Sequence, residues 1–311
     1  MASLIEQAAL RLEQLRRAGA EVPERLPAAI SSAEPSLAPS SSVTPADKKP
    51  IDHRVQSVGQ TSKHVTLDLD SLSAAGIVTP NSPRSFLADQ FRLIKRPLLA
   101  NVKGQGESGL KHRNLIMVTS SLAGEGKSFS SVNLAMSIAM ELDNTVMLVD
   151  ADVARPSVLR MLGLPPGPGL LDLLEGNTDM QSVLLKTNID KLTILPSGTP
   201  HPKATELLAS DAMRALLDDM AQRYPDRIII FDSPPLLLTT EARVLATQMG
   251  QVLVVVQAEK TLQSDVQHAL STIKSCSHIS LLLNKVRGAS EGGYGYGYGY
   301  GYGTPSGKPT A

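Results

Sequence analysis

From Leu115 onward, short runs of branched apolar residues alternate with helix-length segments. The runs are LIMVT, TVMLVD, LTILPSG, RIIIFD, QVLVVVQA and ISLLLN, starting at Leu115, Thr145, Leu192, Arg227, Gln251 and Ile279. Near-continuous apolar runs mark strands covered on both faces, and their alternation with helices predicts an α/β sandwich of three layers, a mostly parallel central sheet between helices. In such sheets ligands gather outside the carboxyl ends of the strands.

The pattern differs at both ends of the chain. SLIEQAALRLEQLRRAG, from Ser3, sets Leu4, Ile5, Ala8, Leu12 and Leu15 on one helical stripe, with Ser3 and Glu6 spaced as a capping box, so an amphipathic helix is expected over 1–21. That stripe suits packing on its own domain and docking on a partner equally well. Proline, serine and alanine then displace periodic apolar residues, giving an expected disordered linker over 22–63 and a folded domain over 64–288. The remainder, 289–311, alternates glycine with Tyr294, Tyr296, Tyr298, Tyr300 and Tyr302, and reads as a flexible tail holding five of the six tyrosines. By composition alone it could equally be a sticky low-complexity tail without chemistry.

Composition narrows the classes. Thirty basic residues balance thirty acidic ones, so no overall field favours nucleic acid or anionic lipid. The single cysteine, Cys276, excludes an internal disulfide framework and reads as a small core residue, and the histidines, His201 and His268 among them, lack metal-ligand spacing. With no basic start before an apolar run and no membrane-length apolar stretch, the expected location is cytoplasmic, with membrane contact only through a partner.

Between the first run and the next helix-length stretch lies SSLAGEGKS. Gly124 and Gly126 would let backbone amides turn toward phosphate oxygens at a helix amino end, Lys127 would meet the outer phosphates, and the Ser128 hydroxyl would ligate Mg. Ala123, Glu125 and Phe129 complete the expected nucleotide contacts around that loop. Two other strand ends carry Asp150 with Asp152, and Asp232 before Ser-Pro-Pro. One carboxylate after a strand is commonly a helix cap; three beside a phosphate loop supply the acidic ligands that a Mg-triphosphate needs. The sheet is therefore expected to be that of a P-loop NTPase.

AGEGKS, hhhDxD and hhhhDSPP together resemble the nucleotide motifs of the bacterial tyrosine kinases that regulate exopolysaccharide and capsule synthesis, and the tail resembles their tyrosine cluster. The likeness runs from about Ser82 to Tyr302, and the first helix and linker look like the exosortase-associated subgroup. It implies ATP as phosphate donor, Lys127 on the β and γ phosphates, and Mg held by Ser128, Asp152 and Asp232. Asp150 would orient or deprotonate the attacking tyrosine, which suits a phenol with a pKa of about 10. The five tail tyrosines would be phosphorylated in trans within a ring built through an E-x-x-R-x-x-R-like element, here Asp89, Arg92 and Lys95. It further implies a membrane polysaccharide co-polymerase as activator and a cognate tyrosine phosphatase.

Three departures accompany the likeness. Ser121 replaces the loop's first glycine, Phe129 replaces the usual second hydroxyl, and Ala154 stands where the second acidic motif usually has arginine, with Arg155 next to it. Plasmid-partitioning and division-site ATPases share the fold class but carry a signature lysine at the position of Ser121; a noncatalytic nucleotide-binding scaffold is the other alternative. A guanine reader would need aspartate where Arg287 follows Asn284, Lys285 and Val286, so ATP is preferred, with Asn284 a candidate adenine contact.

Overall fold

A computed structural model of the chain describes residues 62–81, 85–104, 111–223 and 226–287. The amino-terminal helix, most of the linker and the tyrosine tail lie outside the described residues. Eight strands form one sheet: β1 (Lys63–Val65), β2 (Leu115–Ser120), β3 (Thr145–Asp150), β4 (Leu185–Thr187), β5 (Leu192–Leu195), β6 (Arg227–Asp232), β7 (Gln251–Gln257) and β8 (Ile279–Asn284). Around them run α1 (Leu69–Ala74), α2 (Phe86–Val102), α3 (Lys127–Ala139), α4 (Val158–Met161), α5 (Leu170–Leu174), α6 (Met180–Val183), α7 (Ala204–Leu208), α8 (Asp211–Arg223), α9 (Thr240–Ala246) and α10 (Gln263–Thr272).

The sheet order is β1-β4-β5-β3-β6-β2-β7-β8. Every neighbouring pair is parallel except β4 with β5. All six strands expected from the apolar runs are present. β1 and β4 were not legible, because KHV and LKT are three residues each and carry no apolar run. β1 begins at Lys63, the last residue of the expected linker.

Within the central strands the side chains alternate between two cores. Ile116, Val118, Leu148 and Ile230 face one core with α2 and α3, whereas Leu115, Met117, Met147 and Phe231 face the other with α8 and α9. Helix α3 is buried along nearly its whole length, which fixes the phosphate loop at its start. Asn133 of α3 accepts from Val78 N at 2.8 Å and so holds the segment after α1. Buried Gln251 donates to Leu98 O (3.2 Å) and Arg113 O (2.9 Å), tying α2 to the start of β7. Cys276 is partly buried as expected; burial pushes its thiol up to about 11, and Sγ donates to Ala246 O at 3.1 Å.

Candidate functional site

Sheet order and register bring the three motifs together. β2 delivers the loop into α3, and its neighbour β6 pairs with β3 so that Asp150 stands opposite Asp232. The N-cap of α3 is Gly126, at φ 101°, with no side-chain cap. The first-turn N–H groups of α3 are thus left without a competing cap, the arrangement that binds phosphate. The positive φ at Gly126 favours glycine, and a Cβ there would also displace the Asn284 amide from its place against the loop.

Lys127 Nζ sits 2.6 Å from Asp152 Oδ2, 3.9 Å from Asp232 Oδ1 and 3.2 Å from Ser128 Oγ. Lysine, hydroxyl and two carboxylates therefore converge at one point. Ser131, one turn along α3, donates to Asp232 Oδ1 at 3.1 Å; its periodic spacing from Lys127 was the only sequence signal for it. Asp232 Oδ2 is buried without a hydrogen-bond partner. Burial lifts Asp232 to about 6, offset by Lys127 and the Ser128 and Ser131 hydroxyls, and reinforced by Asp152.

Asp150 is more constrained than a strand-end carboxylate in water. Oδ2 accepts from Ser157 N and Val158 N, both at 3.0 Å, while Oδ1 is buried without a partner. Burial raises its pKa to about 7; the negative charge of Asp232 adds to the rise, the two backbone donors oppose it, and Asp152 adds a smaller increment. Helix-capping and an available acidic oxygen thus coexist in one side chain.

Several expected contacts take other roles. The Glu125 side chain accepts from Leu122 N (2.6 Å) and from the Thr261 hydroxyl, bracing the loop instead of reaching into the cleft. Asn284 Nδ2 donates to Glu125 O at 2.9 Å and its Oδ1 accepts from Lys285 N, so both ends of the amide expected at adenine are engaged. Phe129 turns its ring onto the α2–α3 core, leaving its backbone N–H as its contribution to the loop. Lys285, which sequence reading did not single out, donates from Nζ to Gly124 O at 2.6 Å. The Asn-Lys dipeptide after an apolar strand was its only signal.

A cleft of about 360 Å³ opens over this point, with Ala123, Gly124, Lys127 and Asp152 on one side and Pro234 and Leu238 on the other. Arg155 lines it too, its N–H donating to Asp152 Oδ1 at 3.2 Å. Among the described residues no cluster of three or more His, Cys, Asp or Glu side chains could hold a metal alone. The acceptor set here, two carboxylates and a hydroxyl beside an anion site, instead suits a hard divalent cation shared with phosphate oxygens.

The three residues expected at a ring interface separate. Asp89 and Arg92 are exposed and paired at 2.6 Å. Lys95 is 3% exposed, with Nζ 2.7 Å from Glu141 Oε1 and donating to Ser137 O at 2.6 Å, so it does not share their solvent face. Helical spacing sets all three on one face; packing against the end of α3 draws Lys95 inward.

The chain matches the AAA domain family over residues 113–285. It is 32% identical over 224 residues to the tyrosine-protein kinase YwqD of Bacillus subtilis, covering 70% of this chain and 90% of that protein. It is also 32% identical over 181 residues to the tyrosine-protein kinase ptk of Acinetobacter johnsonii, covering 58% of this chain but 24% of that longer protein. Among solved structures, the VpsO kinase domain superposes with a TM-score of 0.53 at 28% identity, over 62% of this chain and 93% of that one. Among the described residues no helix is long and apolar enough to cross a membrane.

Proposed function

Since this chain belongs to the bacterial tyrosine-protein kinases, we propose that it transfers the γ-phosphoryl group of ATP to tyrosine hydroxyls, including its own Tyr294, Tyr296, Tyr298, Tyr300 and Tyr302. The observation that carries this reading is the convergence of Lys127, Asp152 and Asp232 at an uncapped helix start, with Asp150 adjacent. The backbone amides after Gly126 hold the phosphates, and the Lys127 ammonium, now on Asp152, exchanges that partner for outer phosphate oxygens as the nucleotide enters.

Ser128, Asp152 and Asp232 would hold Mg, which when bound neutralises charge on the phosphates. Asp150, anchored through Oδ2, keeps Oδ1 free to orient the attacking phenol and take its proton as the new P–O bond forms. Pro234 and Leu238 wall the cleft and limit water, which favours a hydroxyl acceptor over hydrolysis. Ser121 stands where a partitioning ATPase would carry its signature lysine, so the kinase reading is preferred.

By family likeness the reaction would run in a ring of subunits, each offering its tail to a neighbour, with Asp89 and Arg92 at the contact. The chain would work at the inner face of the cell membrane beside a polysaccharide co-polymerase that activates it, opposed by a cognate tyrosine phosphatase, and would regulate exopolysaccharide polymerisation and export. Each tail phosphate adds up to about two negative charges, which would loosen the ring.

The test is incubation of wild type and Lys127→Met with labelled ATP, Mg and a cytoplasmic fragment of the activator, with mass-spectrometric mapping. Phosphate on the tail tyrosines of wild type alone is expected. Hydrolysis without phosphotyrosine would remove the kinase reading in favour of an ATPase, and nucleotide binding with neither activity would indicate a scaffold.

A further inference from the structure

Beyond the nucleotide cleft, the loop after β3 closes a second, smaller hollow of about 200 Å³. Pro156, Leu159, Leu164 and Pro166 form its apolar side, Arg160 stands among them, and Asp150 also lines it. We propose that this hollow is the acceptor subsite, a slot for the phenol ring of a glycine-flanked tyrosine. The proposal rests on the kinase reading and adds to it where the acceptor binds.

Its place in the sheet favours this use. The order β5-β3-β6-β2 sets the phosphate loop over β2, the carboxylates over β6 and β3, and the slot at the ends of β3 and β5. A triphosphate held by the loop directs its leaving ADP toward β2. In-line displacement brings the acceptor from the opposite side, which is the side of β3 and β5. There the tyrosine oxygen bonds to the γ-phosphorus, the bond from that phosphorus to the bridging oxygen breaks, ADP departs with the electron pair, and the phenol proton passes to Asp150 Oδ1.

The lining chemistry agrees. Proline and leucine side chains pack on an aromatic ring, and the volume is that of one side chain instead of a cofactor. Asp150 has one oxygen fixed by two backbone donors and one buried without a partner, which matches a ligand with a single hydroxyl. Arg160 makes no ion pair among the described residues, so its guanidinium is available to lie over the ring. Glycines on either side of the tyrosine bring no side chain to collide with the rim.

Gly167 supplies the test, because it lines the slot, lies outside the left-handed region, and a Cβ there would meet nothing within 4 Å. In the full chain, with the five tail tyrosines changed to alanine so that the tail does not compete, affinity for a labelled Gly-Tyr-Gly-Tyr-Gly peptide is measured by fluorescence anisotropy with Mg-ADP present. Gly167→Leu is expected to weaken peptide binding at least about ten-fold and Arg160→Ala about three-fold, while Mg-ADP affinity and melting temperature stay unchanged. A Gly-Phe-Gly-Phe-Gly peptide, lacking the hydroxyl, should bind about ten-fold more weakly.

Equal peptide affinity in parent and Gly167→Leu, or no binding by the parent, overturns the subsite. So does phosphorylation of the peptide by Gly167→Leu at the parent's rate, which would leave the kinase reading standing. Slot-dependent binding without phosphate transfer, activator fragment and ATP supplied, would do the reverse: the tyrosine slot holds and the kinase reading falls. Should Gly167→Leu melt early, Arg160→Glu, an exposed substitution at the same slot, decides the matter by the same anisotropy measurement.

Discussion

At Asp150 two demands meet in one side chain. One oxygen caps the amino end of α4 through Ser157 N and Val158 N, and the other is buried without a hydrogen-bond partner. Its carboxyl holds a proton up to about pH 7 in the folded chain, against 3.8 for the ordinary group. Between those values the native state binds the extra proton, so stability falls as pH rises through that window and the loss is complete above about 7. Asp150→Asn should therefore melt higher than wild type at pH 8 and show little gain near pH 4, by scanning calorimetry. The same ionisation predicts a phosphotransfer rate that climbs through about pH 7 and a loss of about 100-fold or more in Asp150→Asn, read from initial rates across pH. The sequence marked Asp150 by its strand-end position; its free oxygen depended on how the following loop folds back.

Helix α2 and strand β8 show how an element's environment reassigns its residues. On α2, Asp89 and Arg92 remain at the surface, while Lys95 is drawn beneath the end of α3 to Glu141 and Ser137 O. Lys95→Met leaves Glu141, itself partly exposed, without its buried partner and should lower the unfolding free energy by roughly 2–4 kcal/mol. Arg92→Ala should change it by no more than about 0.5 kcal/mol, both by urea titration, and should alter only the assembly state seen by sedimentation. At the tip of β8, Lys285 and Asn284 donate to successive carbonyl oxygens of the phosphate loop. Lys285→Met should weaken Mg-ADP binding roughly five-fold with little change in melting temperature, since one exposed charged hydrogen bond is worth about 1 kcal/mol. Calorimetric titration checks this. A charge triplet at helical spacing and an Asn-Lys pair are visible in the sequence, but which of them faces protein is set by the neighbouring helix or loop.

Across the whole sheet, one set of strands serves two cores. Leu148 and Met147 are consecutive on β3 and fully buried on opposite faces. Leu148→Ala and Met147→Ala should each remove about 2–5 kcal/mol, and each should shift one shared unfolding transition instead of splitting it, as followed by circular dichroism and by loss of nucleotide binding. The same continuity sets the site: parallel pairing of β3, β6 and β2 aligns Asp150 with Asp232 and brings the start of the phosphate loop beside them.

The sequence by itself determined the fold class and six of the eight strands, because buried strands need unbroken apolar runs, and it marked the glycine loop before Lys127 and Ser128 and the three strand-end carboxylates as candidates, because phosphate binding needs glycines before a helix start. It also carried the family likeness through three separate motifs. Only the tertiary structure decided that Glu125 and Asn284 brace the loop, that Phe129 belongs to the core, that Lys95 is buried, that Ser131 and Lys285 lie beside the carboxylates and the loop, and that KHV and LKT are the last two strands at one side of the sheet. Those outcomes hinge on partners that lie from 42 to 161 residues away, or on short polar strands that borrow their order from a neighbour, and no local pattern of hydrophobicity or spacing encodes them.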